Sequence, residues 1–463
     1  MVRFLRFTPI DFAVWNDRFA GVLMTLAVLT ALPFASNRPL WWLIWTVAIA
    51  GLACLYQLLV WRCRTKAAAR ARPFAGLFAL AALVPAFALV QASDLRGLLP
   101  HFAPKMPADL HDLAGGSLSV VPEASQIGAL RFCGYLLFLA LVIEVSTRRG
   151  RVEWMSRILF FGITLQAIWA LVALNLLGDV TLFAKKTAYL GMATGSFVNR
   201  NALACFLGFG LILGAALLGT RALPGQQAAR GLRAVFMQFR GGGAVIAVGM
   251  LLQALALVAT QSRLGLLATI VGLTMAVLLR LRLRGWRHGF WPLLALGVAL
   301  IFGLLWGQGV AERLLLTQSD GATRLALYRQ ILTMIQMRPL TGFGFDGFAP
   351  AFEAFRAPPL NLAVSYGHGH NTYLTLWAEL GVLVGSLPPL LCLAAGVICL
   401  RRLRQGDGFS ANAVAAIGAL VLAGLQSAAD FSLEIPANTY VFLAMLGMGA
   451  AQRSSGTRAQ PLA

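Results

Sequence analysis

Apolar runs of about 20 residues recur along this chain, and bursts of arginine separate every second pair of them. As a helix, a run of that length crosses about 30 Å of hydrocarbon, and backbone in lipid must satisfy its own hydrogen bonds. The expected fold class is therefore an all-α polytopic integral membrane protein. Composition agrees, with 59% of the 463 residues hydrophobic and only 12% charged, against about 25% charged in soluble domains.

Counted this way, the chain has about twelve candidate spans. They lie near 19–35, 40–60, 73–91, 126–146, 154–178, 201–220, 243–260, 264–281, 290–309, 373–400, 411–428 and 437–451. Arg3, Arg6 and Arg18 before the first run resemble a signal-peptide start, but the run is one of many alike and reads as an uncleaved span. The net charge of +21 does not form a basic soluble domain for nucleic acid, because Lys and Arg sit in short bursts between spans. Those bursts instead orient the chain. Arg62, Arg64 and Arg70, then Arg148, Arg149 and Arg151, then Arg280, Arg282 and Arg284, and later Arg401, Arg402 and Arg404 all fall on the side assigned to the cytoplasm. Cys54, Cys63, Cys133, Cys205, Cys392 and Cys399 show no metal-ligand spacing and read as small core residues.

The resulting division has a cytoplasmic N-terminus at 1–18 and N-terminal spans over 19–178. Central spans with outward arginine motifs follow over 179–309, then a large extracytoplasmic loop over 310–372 between spans nine and ten. The C-terminal spans occupy 373–451, and a cytoplasmic tail follows at 452–463. Within the loop, Thr323 to Met337 has apolar residues at helical spacing, with Thr323 as a cap and Arg338-Pro339 as the stop. A surface helix is expected there, followed by the glycine- and aromatic-rich turn G-F-G-F-D-G-F from Gly342 to Phe348. No internal repeat is evident, which weakens a transporter or flippase reading built on inverted halves.

The unusual polar residues collect on the side assigned outward, in three constellations. T-G-S-F-V-N-R-N, Thr194 to Asn201, puts Arg200 at the mouth of the sixth span. There it either snorkels at the lipid interface or binds an anion. T-Q-S-R-L-G, Thr260 to Gly265, holds Arg263 in a tight turn, against the inside-positive bias. A structural ion pair would explain Arg263 alone. Held near Arg200, it would suit a diphosphate, because guanidinium forks match phosphate oxygens. The third constellation is Y-G-H-G-H-N-T-Y-L-T-L-W-A-E-L-G, Tyr366 to Gly381. His370 there is either an ordinary loop histidine or a base able to accept a proton from an attacking hydroxyl. His368 stands two residues away without a third metal ligand. Glu379 lies nine residues beyond His370, about 13 Å deeper if helical, and is expected to pair between helices. Asp430 and Glu434, in A-D-F-S-L-E-I-P-A, are acidic candidates on the same side, equally readable as counter-ions for Arg200 or Arg263. Arg131 and Glu144 are charges inside the fourth span.

Five stretches in this order resemble the O-antigen ligase and polymerase superfamily of membrane enzymes. They are G-S-F-V-N-R-N, T-Q-S-R-L-G-L-L-A, R-P-L-T-G-F-G-F-D-G-F, H-G-H-N-T-Y-L-T-L-W-A-E-L-G and D-F-S-L-E-I-P-A, within the C-terminal part of the chain. The resemblance implies a GT-C-like helical fold and a metal-independent, inverting glycosyl transfer in the bacterial inner membrane, with the site facing the periplasm. The donor would be a glycan on undecaprenyl diphosphate. The acceptor would be lipid A-core in a ligase, a growing chain in an O-antigen or exopolysaccharide polymerase, or protein in an O-oligosaccharyltransferase. By the same resemblance His370 would be the base. Arg200 and Arg263 would hold the diphosphate, with Asn201, Asn371 and His368 in the binding site and Glu379, Asp430, Gly342 and Gly344 supporting it. The His-Asn pair with two arginines makes a ligase the first reading.

Overall fold

The computed structural model describes residues 12–63, 70–94, 107, 110, 114–182, 185–220, 242–283, 310–405 and 410–451. Among them the regular structure is entirely helical. The helices are α1 Phe12–Leu29, α2 Pro39–Arg62, α3 Ala75–Ala92, α4 Pro122–Val145, α5 Arg149–Asn175, α6 Arg200–Thr220 and α7 Gly242–Ala259. They continue as α8 Arg263–Leu283, α9 Val310–Met337, α10 Phe348–Glu353, α11 Thr372–Gly385, α12 Leu387–Gln405, α13 Ser410–Ser427 and α14 Pro436–Ala450. Eight described helices are long and apolar enough to cross a membrane, or nine if the bent pair of α11 and α12 makes one span. The expected ninth span, 290–309, lies outside the described residues. The expected tenth, 373–400, is bent by 68° where α11 meets α12. Its last two successors are short, α14 having only 15 residues.

The core forms around α6, whose apolar face is continuous on all sides and which packs against α5, α7, α8 and α13. A helix apolar all round belongs inside a bundle. The tight crossing of α8 and α13 rests on glycine: a Cβ on Gly272 would meet the Gly418 carbonyl oxygen at 2.7 Å. Small residues let helix backbones approach in lipid, where dispersion and polar contacts carry association. A second group of helices, α2, α3, α4 and α14, packs beside it, with α1 against α5.

Glu144, near the end of α4, accepts from the backbone N–H of Ala71 at 2.9 Å and of Arg70 at 3.2 Å, at the turn that opens α3. Its charge thus replaces missing intrahelical partners at a helix start.

The helix expected to begin at Thr323 begins at Val310 and ends at Met337, just before Arg338-Pro339 as predicted. Thr323 is therefore inside α9 rather than capping it. Leu327, Ile331 and Met334 face one way, and α9 buries that stripe against α11. This spacing is the helical period the sequence displays.

The described helices that start at one end of the bundle carry the motifs. α6 begins at Arg200, α8 at Arg263, α11 directly after Asn371 and α14 after Ile435. Their arginine-rich termini, Arg280 and Arg282 on α8 and Arg402 and Arg404 on α12, lie at the helices' far ends.

Candidate active site

Asn199 starts the construction by accepting from the Asn201 N–H at 2.7 Å, capping α6 in the way short polar side chains cap helices. That cap aims Asn201 sideways. Its amide accepts from Ser262 Oγ at 2.7 Å and donates to Asp430 Oδ1 at 3.0 Å. One side chain thus ties the N-R-N stretch to the Q-S-R turn and to the stretch between α13 and α14. Ser432 Oγ donates to the other Asp430 oxygen. Gln426 Nε2 donates both to Ser432 Oγ and to the Asn201 carbonyl, each at 2.9 Å. Asp430 is fully buried within this network.

His370 faces the same carboxylate, its Nδ1 lying 3.9 Å from Asp430 Oδ1. Nδ1 is buried while the side chain as a whole is 32% exposed, so the accessible part of the ring is its other edge. The residue adopts φ +51°, rare for a side chain with a Cβ. It is held by Tyr328 OH donating to its carbonyl at 2.8 Å. Asn371, next in line, accepts from the N–H groups of Tyr373 and Leu374 at 3.1 Å and donates to the Ala428 carbonyl at 2.8 Å. Asn371 is thus the cap of α11 and a tie to α13. Its amide oxygen and one amide N–H are thus engaged within the protein.

Phe431 separates the two histidines. The His368 ring stacks on it face to face at 3.8 Å, and the His370 ring meets it edge-on at 5.1 Å. His368 Nδ1 is 3.2 Å from Glu434 Oε2. Two imidazole–carboxylate pairs therefore flank one aromatic ring, and Asp430 and Glu434 face His370 and His368. The alternative pairing of Asp430 with Arg200 is not what the structure shows. Arg200 packs over the Tyr189 ring at 5.6 Å and its Nη1 reaches the Gln261 carbonyl at 3.4 Å. Gln261 stands two residues before Arg263, so Arg200 lies at the turn that carries the second arginine. Both arginines open helices, where free N–H groups and the helix dipole favour anions.

Glu379 Oε1 accepts from the Phe348 N–H at 3.2 Å, the backbone group that opens α10, so the carboxyl joins α11 to α10 through a main-chain partner. The helix breaks at Gly381, φ +72°, which frees the carbonyls of Ala378 and Glu379. Phe343 N–H and Gly344 N–H take them at 2.9 and 3.0 Å, while Val382 N–H donates to Pro339 at 2.8 Å. Glycine is required on the turn side of this clip. A Cβ on Gly342 would stand 2.2 Å from the Glu379 carbonyl oxygen, and one on Gly344 2.0 Å from Ser119 Oγ. Gly342 and Gly344 thus let the turn approach the α11 backbone and Ser119 closely.

Some members of the site have no signal in the sequence. Gln91 Nε2 donates to the carbonyls of Thr341 and Glu379 at 2.6 and 2.8 Å, and its Oε1 accepts from Phe345 N–H at 3.1 Å. Only its position, a lone amide in the last turn of an apolar helix, could have marked it. Asp346, inside G-F-G-F-D-G-F, pairs with Arg131 of α4 at 2.5 Å. The Arg131 guanidinium also lies over the Trp42 ring at 4.2 Å.

The pieces meet as one edge: a clip that fixes the 338–348 turn, a histidine backed by a buried carboxylate, and two arginines at helix starts. The O-antigen ligase family model matches residues 248–388, a segment that holds the Q-S-R turn, the clip and both histidines. No curated protein matches the chain. Through that segment, the chain's resemblance to the O-antigen ligase and polymerase superfamily is supported.

Proposed function

We propose that the chain is a glycosyltransferase of the ligase kind, moving a glycan from undecaprenyl diphosphate to a hydroxyl of lipid A-core on the periplasmic side of the bacterial inner membrane. The observation that carries this reading is His370, buried at Nδ1 against Asp430 and accessible along the rest of its ring. A carboxylate behind one imidazole nitrogen stabilises the imidazolium formed when the other nitrogen accepts a proton.

In the proposed reaction the acceptor oxygen attacks the anomeric carbon as His370 takes its proton. The bond from that carbon to the diphosphate breaks with inversion, and its electron pair leaves on the diphosphate. Arg200 and Arg263, at the starts of α6 and α8, stabilise the departing charge. His368 stands beside the acceptor, and Asn201 keeps Asp430 in register. The base supplies about 10²- to 10⁴-fold, and the clamp adds to it. The family match supports a ligase or polymerase type of activity in general; the donor, the acceptor and the roles of these residues belong to this proposal.

The test uses the purified protein and an undecaprenyl-diphosphate oligosaccharide, with chelator present, offered lipid A-core or a second donor molecule as acceptor. Glycosylated lipid A-core that disappears in a folded His370→Ala variant is the expected result. Lengthened donor chains would make the protein a polymerase. Full activity in His370→Ala would remove the mechanism.

A further inference from the structure

A cavity of about 740 Å³ opens beside His368, and the histidine assigned above as base is not among its lining. Its wall is apolar over most of its length. Glu434 marks the motif-bearing end and Ala450, the last residue of α14, the other. Fifteen helical residues separate these depths, about 22 Å at 1.5 Å each, which is most of the hydrocarbon thickness. Ile143 on α4 and Ile398 on α12 line the deep part as well. An apolar cleft that extends along the length of α14 has room for a hydrocarbon chain.

The head of the cleft is polar and rich in carboxyl groups. Asp346, Glu379 and Glu434 contribute three carboxylates, against one enclosed guanidinium, Arg131; Arg38 stands exposed at the mouth. Arg131 is already paired with Asp346. Among the described residues, Asp346 Oδ2 and Glu434 Oε1 are buried acceptors without a hydrogen-bond partner, and Arg131 Nε is a buried donor without one. Buried polar atoms left open in this way cost stability unless a ligand or water meets them. Acceptors in excess suit a ligand that brings hydroxyl donors, and a second diphosphate would face like charge.

We propose that this cleft takes the hydrocarbon chain of a lipid whose head carries sugar hydroxyls, with Glu434, His368 and Asp346 receiving that head beside His370. The assignment rests on the transferase reading above and gives it an acceptor side separate from the arginines. His368 and Glu434 become positioning residues: His368 stacks on Phe431 and pairs with Glu434, and together they present a fixed acceptor to a hydroxyl one ring away from the base.

The experiment places the full-length protein in phosphatidylcholine nanodiscs with two photoreactive probes of equal chain length, an alkyl glucoside and the matching alkyl diphosphate, each with a diazirine at the chain end. The glucoside is expected to label cleft residues of α4, α12 and α14 at least about tenfold more strongly than the diphosphate. Ala395→Trp, which fills the cleft, should remove that labelling and raise the acceptor KM while the donor KM stays put. Ala395→Leu serves as the milder variant and should do the same in part. Equal or stronger labelling by the diphosphate probe would overturn the proposal and give the cleft to the donor's chain. Absence of cleft labelling by both probes would also overturn it. Glucoside labelling in a protein that transfers to no acceptor would support the lipid site and sink the transferase reading instead.

Discussion

His370 is held by contacts that stabilise an unusual backbone, and the consequences can be measured residue by residue. Its φ of +51° places the carbonyl toward Tyr328, whose hydroxyl donates to it at 2.8 Å. Tyr328→Phe removes that one bond, worth about 0.5–1.5 kcal/mol, and should lower kcat by about two- to tenfold with the protein still folded. Steady-state transfer assays on the variant check this; an unchanged kcat would mean the loop holds His370 without it. Asp430→Asn keeps one acceptor oxygen, enough for Asn201 or Ser432 but not for both, and removes the negative charge facing Nδ1. Its expected loss is at least about tenfold in kcat, because an imidazolium loses its buried counter-charge as the proton arrives. Wild-type turnover in Asp430→Asn would reduce Asp430 to a structural role. The types of these residues were legible from their placement in the chain, but their partners were not. Nothing in A-D-F-S-L-E says that Asp430 faces one histidine and Glu434 the other, since that follows from Phe431 lying between two rings contributed by another stretch.

The element that organises the site is the break in α11, and it is built from hydrogen bonds that an unbroken helix would have made for itself. Gly381 turns the chain at φ +72°, the carbonyls of Ala378 and Glu379 go to the 338–348 turn, and Gln91 on α3 donates to the Glu379 carbonyl and to the Thr341 carbonyl of that turn. Gln91→Leu leaves the Phe345 N–H and two carbonyls to find other partners. It should lower stability by about 1–3 kcal/mol, read as a lower Tm in detergent. Gly381→Ala brings a Cβ to 2.3 Å from the Leu340 carbonyl oxygen in a left-handed conformation and should be the more damaging of the two. A Gly381→Ala protein with the wild-type Tm would show that the break can be relaxed. Hydropathy reads 373–400 of the chain as one continuous span because it sums side chains and is blind to a single residue's φ. Its glycines at 342, 344 and 381 hinted at bends, yet their register against one another is a long-range fact. The same blindness put the start of α9 at Thr323, where periodicity first becomes clean, while the helix begins at Val310.

At the scale of the whole molecule, apolar length and arginine position carried the reading furthest, because each acts through the solvent rather than through a particular neighbour. Seven of the eight helices that qualify as spans coincide closely with runs read from hydropathy, and α1 is set several residues earlier. The ion pair that crosses the molecule was not legible: Arg131 stood out as a charge in a span, but its partner lies 215 positions away in the glycine-rich turn. The motif-bearing helix starts and the arginine-rich helix ends lie at opposite ends of the bundle, so orientation becomes a single binary question. Ser365 is exposed beside the histidine stretch, and Gly150 is exposed at the start of α5, with open space where a Cβ would go. In a chain stripped of its six native cysteines, Ser365→Cys should react with a membrane-impermeant maleimide added to spheroplasts, and Gly150→Cys only after lysis. That pattern follows from keeping arginine bursts on the cytoplasmic side. The reverse pattern would put His370 in the cytoplasm, where an acceptor exposed only on the outer face cannot reach it, and the proposed transfer would fall with it.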